Sequence, residues 1–178
     1  MEYRITKLKI NDIKNLDKIY KYLEDNPKCL RSSFRHVEKS GDNHSIKIGA
    51  TKQRGARSSF AGIVPYRNVE KISILSMNHP KLDELLLYFL HNHRPDFKFN
   101  SVLINKNCQA EPHIDSKNIG NSIIITIGDF SGGGIYVKEN IFQPRLFEIK
   151  THSLEFNGSF YEHWTESFKG NRYSLIFF

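Results

Sequence analysis

Two histidines and one aspartate have residue types and a spacing that suit metal binding. In His113-Ile114-Asp115 the imidazole and the carboxylate are two residues apart, so on a predicted strand over residues 110–115 they project from the same face. His163 follows 48 residues after Asp115, on another predicted strand over residues 160–164. Imidazoles and carboxylates are common ligands of divalent transition metals. For an isolated HxD motif, a surface histidine beside a turn aspartate is the alternative interpretation.

A second polar pair, Arg172 and Ser174, stands two residues apart and leads into the apolar run 175–178. This run is expected to form a buried strand, with both polar side chains on one face. A charged arginine that enters a buried strand needs a partner. Because a planar guanidinium can hold a carboxylate through two hydrogen bonds, and a serine hydroxyl can add another, the pair predicts a site for a carboxylate ligand.

The second half of the chain, which must position these side chains, is rich in short β segments separated by Gly, Asn, Asp and Pro. Eight strands are predicted: 99–105, 110–115, 122–128, 134–137, 145–150, 153–157, 160–164 and 173–178. Eight short strands within about 80 residues indicate an antiparallel sandwich or jelly roll.

Helices are expected in the first half, where apolar residues recur at helical spacing. One is predicted to begin at Asn11 and end at Asn26-Pro27, and another to begin at Asn78 and end before Pro95. His91 and His93, at the end of the second helix, are expected to be solvated. We therefore predict the α+β class: a double-stranded β-helix (jelly roll) with N-terminal helices packed outside it.

The chain is predicted to be one domain, 1–178. Within it, residues 1–96 would supply helical and irregular support and a substrate loop, and residues 97–178 would form the jelly-roll core. Hydrophobic residues make up 39% of the chain and 12% are aromatic, which is enough for one sizeable core. The formal net charge is +7, and the excess of basic residues lies in 1–96.

The order HxD, H and RxS on strands of a jelly roll resembles the Fe(II)/2-oxoglutarate dioxygenase superfamily, over residues 97–178. The resemblance implies three iron ligands, namely His113, Asp115 and His163. It also implies that Arg172 and Ser174 bind the distal carboxylate of 2-oxoglutarate, with O2 as cosubstrate. In AlkB-like relatives a strand containing asparagine contacts 2-oxoglutarate, which makes Asn105 a candidate; a turn asparagine is the alternative.

The substrate must be inferred from other residues. A basic loop carries Lys52, Arg54 and Arg57 and is followed by Phe60 and Tyr66, and basic residues among aromatics suit a phosphate backbone and an exposed base. The motif order most resembles the TET and J-binding-protein branch, which oxidises pyrimidine methyl groups in DNA. That resemblance implies nucleic acid as partner, as a single strand or with a flipped base, and 5-methylcytosine or thymine as target. The sequence has no counterpart of the cysteine-rich zinc-binding region of animal TET enzymes, which disfavours duplex recognition of that kind.

Two other functions fit the same residues. A hydroxylase of a protein side chain, such as prolyl, or of a small molecule would use the same site, and the positive charge suits an acidic peptide equally well. A jelly-roll binding module with an inactive metal site is the third hypothesis, and the complete triad with Arg172 argues against it.

Other classes of protein are disfavoured by what the sequence lacks. No apolar run approaches the roughly 20 residues of a membrane span, and residues 1–10 do not have the pattern of a signal peptide. The two cysteines, Cys29 and Cys108, form no CxxC pair, which disfavours a zinc ribbon, an iron–sulfur site or a disulfide framework. We therefore expect an intracellular protein with no membrane association and no obligate protein partner.

Overall fold

The computed structural model describes residues 3–178 except 33–35, 39–44, 48–56, 67–68, 117 and 139–142. Three helices lie in this part of the chain: α1 (Ile10–Asp25), α2 (Ile74–Asn78) and α3 (Pro80–His93). The strands are β1 (Arg4–Lys7), β2 (Arg31–Ser32), β3 (His36–Glu38), β4 (Ser45–Lys47), β5 (Arg57–Tyr66), β6 (Val69–Ile72), β7 (Ser101–Lys106), β8 (Ser122–Gly132), β9 (Ile135–Lys138), β10 (Arg145–Phe147), β11 (His152–Phe156), β12 (Glu162–Thr165) and β13 (Phe168–Phe177).

The first turn of each long helix contains a residue that suits a helix N-terminus. In α1 the Asp12 carboxylate accepts a hydrogen bond of 2.8 Å from the Lys9 backbone N–H, which satisfies an otherwise unpaired donor at the N-terminus. Pro80 occupies the first turn of α3, where a missing N–H is harmless. The N-caps are Lys9 and His79, so the prediction of Asn11 and Asn78 as the caps is wrong by two residues and by one.

Two sheets form the β structure around the cavity described below. The main sheet has the strand order β1-β11-β8-β13-β7-β5-β2, with β6 paired to β5, and the smaller sheet has the order β10-β9-β12. All of these pairs are antiparallel. A hairpin of β3 and β4 forms a separate two-stranded sheet. The predicted mixed architecture with mostly antiparallel strands is confirmed.

Two hydrophobic clusters lie in these layers. The larger joins apolar side chains of α1 and α3, such as Leu16 and Phe89, to main-sheet residues such as Ile125. The smaller joins residues of both sheets, among them Val137 and Phe156. The main sheet is therefore buried on both of its faces, one against the helices and one against the smaller sheet.

Strand β13 shows how one strand serves both faces. Its residues Tyr173, Leu175 and Phe177 belong to the cluster that includes the helices. Its alternate residues Arg172, Ser174 and Ile176 line a cavity on the other face. The period of two along a strand thus sends apolar side chains to one side and the predicted carboxylate-binding pair to the other.

Two glycines fix the pairing of β13 with β8. Gly128 lies opposite Arg172, and Gly170 lies opposite Phe130. Both have positive φ, +122° and +108°, and a Cβ on either would collide with the backbone carbonyl of the neighbouring strand, that of Asn171 or Asp129. Only glycine fits these two positions.

The structure differs from the sequence prediction in two places that matter for the sheets. Residues 110–115 form no regular strand and make only isolated bridge pairing. In the half expected to be helical and irregular, β5 pairs with β7 and β1 pairs with β11, so the first half also contributes strands to the main sheet. None of the helices in the described ranges is long and apolar enough to cross a bilayer.

Candidate active site

His113, Asp115 and His163 come together at the edge of the smaller sheet. The two histidines pair through their backbones: each N–H donates to the carbonyl of the other, at 3.0 and 2.9 Å. The Asp115 N–H donates to the Gly158 carbonyl at 2.9 Å. One potential ligand atom from each of the three side chains lies within 4.8 Å of the others. Within the described residues, this is the only group of three or more His, Cys, Asp or Glu side chains that lie close enough together to hold one metal ion.

The orientation of each imidazole is fixed by a backbone carbonyl two residues before it. His113 Nδ1 lies 2.7 Å from the Glu111 carbonyl oxygen, and His163 Nδ1 lies 2.9 Å from that of Tyr161. A carbonyl only accepts, so the proton must be on Nδ1 in both rings. Both Nε2 atoms are therefore left to bind a cation, which is how metal-binding histidines are commonly held.

Asp115 supplies the negative charge of the cluster. Its two carboxylate oxygens lie 3.6 Å from His113 Nε2 and 3.5 Å from His163 Nε2. Burial raises the pKa of the Asp115 carboxyl, but its interactions with His163 and His113 outweigh burial and hold the pKa below the ordinary value. The negative charge of the carboxylate therefore favours a cation in the space between it and the two Nε2 atoms. A divalent ion about 2.0–2.2 Å from each ligand atom spans separations of this size, so these residues fit a metal.

Arg172 is the second charged group of the site, and its side chain is almost fully buried at 2% exposure. Its Nε donates to the Gly133 carbonyl at 3.1 Å and its Nη1 to the Cys108 carbonyl at 3.5 Å. The guanidinium also lies against the rings of Phe130 and Phe168, at 5.8 and 5.1 Å from their centroids. Within the described part of the chain no carboxylate pairs with it. Burial lowers the pKa of Arg172 to about 10, so the group is still charged at neutral pH.

The position of this guanidinium depends on two neighbours that have positive φ. The Asn107 side chain accepts a hydrogen bond of 2.8 Å from the Arg172 N–H, and the Asn107 N–H donates back to the Arg172 carbonyl at 2.7 Å. Asn107 has φ +52°, a region that asparagine tolerates better than most residues. At Gly133, with φ +75°, a Cβ would lie 2.7 Å from the Arg172 Nε. A larger residue at 133 would displace the guanidinium.

One cavity joins the His-Asp-His cluster to Arg172. Its lining includes the cluster, Arg172, Ser174 and Asn105, together with apolar side chains such as Ile124 and Phe156. Asn105 Nδ2 donates to the Ser174 hydroxyl at 3.2 Å, whereas Asn105 Oδ1 is buried without a partner among the described residues. The fold thus brings into one cavity the six side chains that were predicted from the sequence to bind iron or 2-oxoglutarate.

Ser122 also lines this cavity, and sequence reasoning missed it. Its hydroxyl is buried without a partner in the described residues, and buried polar atoms of this kind call for a ligand or solvent partner. No local signal distinguished this serine from others, because its place in the cavity follows from the pairing of β8 with β11, where it lies opposite Phe156.

The predicted substrate residues lie elsewhere. Lys52 and Arg54 fall outside the described residues. Arg57 is not in a loop: it begins β5, where its backbone lies opposite Ser32 and Lys106. Their role stays a prediction.

Solved structures share this fold, although no protein-family model matches the chain and no curated protein matches it by sequence. A prolyl hydroxylase from Trichoplax adhaerens, in complex with a hypoxia inducible factor peptide fragment, has a TM-score of 0.57 at 12% identity, over 99% of this chain and 83% of that one. NgTET1 in complex with 5mC DNA has a TM-score of 0.54 at 13% identity, over 99% and 71%. A 2OG-Fe(II) oxygenase family oxidoreductase from Burkholderia pseudomallei has a TM-score of 0.50 at 16% identity, over 69% and 67%.

The chain therefore has the fold of the 2OG-Fe(II) oxygenases, and the resemblance drawn from the sequence is confirmed at the level of the fold. The relatives that share it include an enzyme bound to a peptide and one bound to DNA. The fold alone consequently does not select the substrate.

Proposed function

We propose that this protein is an Fe(II)/2-oxoglutarate-dependent dioxygenase that hydroxylates a C–H bond. One observation carries the proposal: a buried guanidinium without a carboxylate partner in the described chain shares a cavity with a His-Asp-His cluster. An unpaired buried charge is unfavourable. A ligand with a carboxylate would supply the partner for this guanidinium and thereby stabilise the protein. A metal and a dicarboxylate together match both ends of the cavity.

The chain's own residues would bind and orient these groups. His113, Asp115 and His163 would hold the metal, with Nδ1 protons kept on the side away from it. Arg172 would bind the far carboxylate, with Ser174 and Asn105 adding hydrogen bonds. When bound, Fe(II) and 2-oxoglutarate supply the O2 activation that oxidises a C–H bond, with succinate and CO2 as coproducts. The apolar lining of the cavity would keep water from the reacting groups.

We propose the 5-methyl group of a pyrimidine in nucleic acid, in 5-methylcytosine or thymine, as the target. The excess of basic residues in 1–96 supports a polyanionic partner, and the fold shared with NgTET1, which was solved in complex with 5mC DNA, supports the same class of ligand. Lys52, Arg54 and Arg57 would contact the phosphate backbone. A base inside a duplex is out of reach, so the enzyme would need a single strand or a flipped base.

The reaction can be tested directly. The protein is incubated with Fe(II), ascorbate, 2-oxoglutarate and methylated DNA, and oxidised nucleosides and succinate are measured by mass spectrometry. His113→Ala should abolish both products, and the matched control His91→Ala, at an exposed position at the end of α3, should retain them. Products that survive His113→Ala would overturn the assignment of the site. Unchanged oligonucleotide binding after Arg54→Ala with Arg57→Ala would overturn the nucleic-acid part alone.

A protein side chain is the second candidate substrate, favoured by the prolyl hydroxylase in complex with a peptide fragment that shares the fold at a TM-score of 0.57. The positive charge would then attract an acidic peptide. The same assay with proline-containing acidic peptides separates the two: peptide hydroxylation without nucleoside oxidation would favour this candidate.

A further inference from the structure

Gly158 lies directly beside the His-Asp-His cluster, in the turn between β11 and β12. A Cβ built on it would be 3.3 Å from Asp115 Oδ2, 3.2 Å from His163 Cε1 and 3.7 Å from His163 Nε2. Two of these three atoms, Asp115 Oδ2 and His163 Nε2, face the proposed cation site. Gly158 does not have a positive φ, so its backbone conformation does not itself require glycine.

Both the turn and the imidazole are held tightly, so neither can move aside for a methyl group. The Asn157 side chain accepts hydrogen bonds from the Ser159 N–H at 3.0 Å and the Ser159 hydroxyl at 2.6 Å. The Asn157 carbonyl accepts further bonds from the N–H groups of residues 160 and 161. The His163 ring is fixed by the Tyr161 carbonyl and by an edge contact with Phe156, at 5.0 Å between centroids.

The Asp115 carboxylate is the group that can yield. Its side chain is 36% exposed, against 7% for that of His163. The backbone of Asp115 is tied to the Gly158 carbonyl at 2.9 Å, so rotation of the carboxylate would relieve the contact with Oδ2. The contact of the methyl group with Cε1 of the His163 ring would remain. That rotation would take Oδ2 away from His163 Nε2, and the cluster would no longer face one ion.

We propose that Gly158 is a positioning residue of the metal centre: its missing side chain leaves the space in which Asp115 and His163 converge. The inference rests on the proposed metal site. A merely structural glycine would affect the stability of the fold, whereas this role affects the affinity of the folded protein for a metal.

The test compares Gly158→Ala with the wild type in anaerobic calorimetric titrations with Fe(II), together with urea unfolding of the metal-free proteins. We expect the Fe(II) dissociation constant to rise about 10-fold or more, the size typical of changes beside metal ligands. Gly120→Ala is the control: nothing lies within 4 Å of the added Cβ, and φ is +83°, so it lowers stability and leaves Fe(II) affinity unchanged.

An Fe(II) dissociation constant for folded Gly158→Ala within twofold of the wild type would overturn the role of Gly158 and leave the metal site intact. Wild-type protein that binds no Fe(II), or His113→Ala with undiminished affinity, would overturn the metal site and this inference with it. If Gly158→Ala does not fold, the double variant with Asp115→Ala decides. Recovery of the fold would assign the clash to the Asp115 carboxylate, and continued unfolding would overturn rotation of that carboxylate as the effect of the methyl group.

Discussion

Replacing Arg172 by methionine distinguishes a ligand-binding arginine from a structural one. Methionine is long and apolar, so it keeps the contacts with Phe130 and Phe168 and removes the charge. The fall of the Arg172 pKa to about 10 through burial corresponds to roughly 3 kcal/mol of unfavourable charge burial. The lost hydrogen bonds to the Gly133 and Cys108 carbonyls and the lost cation–π contacts together cost about 3 kcal/mol. We therefore expect the free energy of unfolding of ligand-free Arg172→Met to be close to the wild-type value.

The same substitution should remove the response to 2-oxoglutarate. At about 100 times its dissociation constant the ligand stabilises a protein by about 2.7 kcal/mol. Truncating a buried charge pair weakens binding by about 3 kcal/mol, which is roughly 150-fold. At the same ligand concentration, the stabilisation of Arg172→Met should then fall to about 0.3 kcal/mol. Urea unfolding with Fe(II) under anaerobic conditions, with and without 2-oxoglutarate, measures both quantities.

Arg94 offers the matched control, because it is buried to the same extent and has the partners that Arg172 lacks. It is 3% exposed and pairs with Glu155 at 2.8 Å and Asp96 at 2.9 Å. Breaking a buried pair of this kind is destabilising by about 3 kcal/mol, and the stabilisation by 2-oxoglutarate should be unchanged. The reasoning would be refuted if Arg172→Met were destabilised as Arg94→Met is and still responded to 2-oxoglutarate.

Two further predictions concern side-chain contacts away from the cavity. His93 bridges Asp12 at 3.0 Å and the Ser153 hydroxyl at 2.7 Å, so His93→Leu should lower the free energy of unfolding by about 3 kcal/mol with unchanged Fe(II) affinity; a loss below 1 kcal/mol would contradict this. The Tyr173 hydroxyl donates to Glu24 at 2.6 Å; burial raises the pKa of Glu24, but hydrogen bonds, that of Tyr173 included, lower it below its ordinary value. A carboxyl whose pKa is lowered by folding stabilises the fold when it is ionised, and this stabilisation is lost as the pH falls and the group becomes protonated. Tyr173→Phe should therefore lower the free energy of unfolding by about 1 kcal/mol at pH 7 and by progressively less below about pH 4.5. A difference in urea unfolding that does not change with pH would contradict this.

Residue types and short spacings were sufficient to locate the candidate site. Arg172 and Ser174 were expected on one face of a strand, and β13 places both in the cavity. His113 and Asp115 were expected on a strand as well, yet they lie on an irregular segment whose backbone bonds to that of His163 and Gly158. Backbone hydrogen bonds to the neighbouring segment, and not strand periodicity, bring these two side chains close to His163.

The rest depended on contacts between distant parts of the chain. Gly62 and Pro65 interrupt the sequence of β5, so the strand pattern was obscured although the segment pairs with β7 along six residues. His93 was expected to be solvated, which is wrong: it is buried because Asp12 and Ser153 meet it there. Such burial cannot be read from local spacing, since it requires knowing that α1, α3 and β11 pack together.

The pairing of β13 with β8 makes this protein intolerant of small insertions and deletions near its site. A shift of one residue would turn Arg172 toward the helices and Tyr173 into the cavity. It would also move Gly170 out of its place and bring there a residue whose Cβ would collide with the Asp129 carbonyl. Loss of one residue in β13 would therefore destroy the fold and the ligand pocket together, whereas substitutions can affect either one alone. Variation among homologous chains should accordingly appear here as exchanged residues and almost never as changed length.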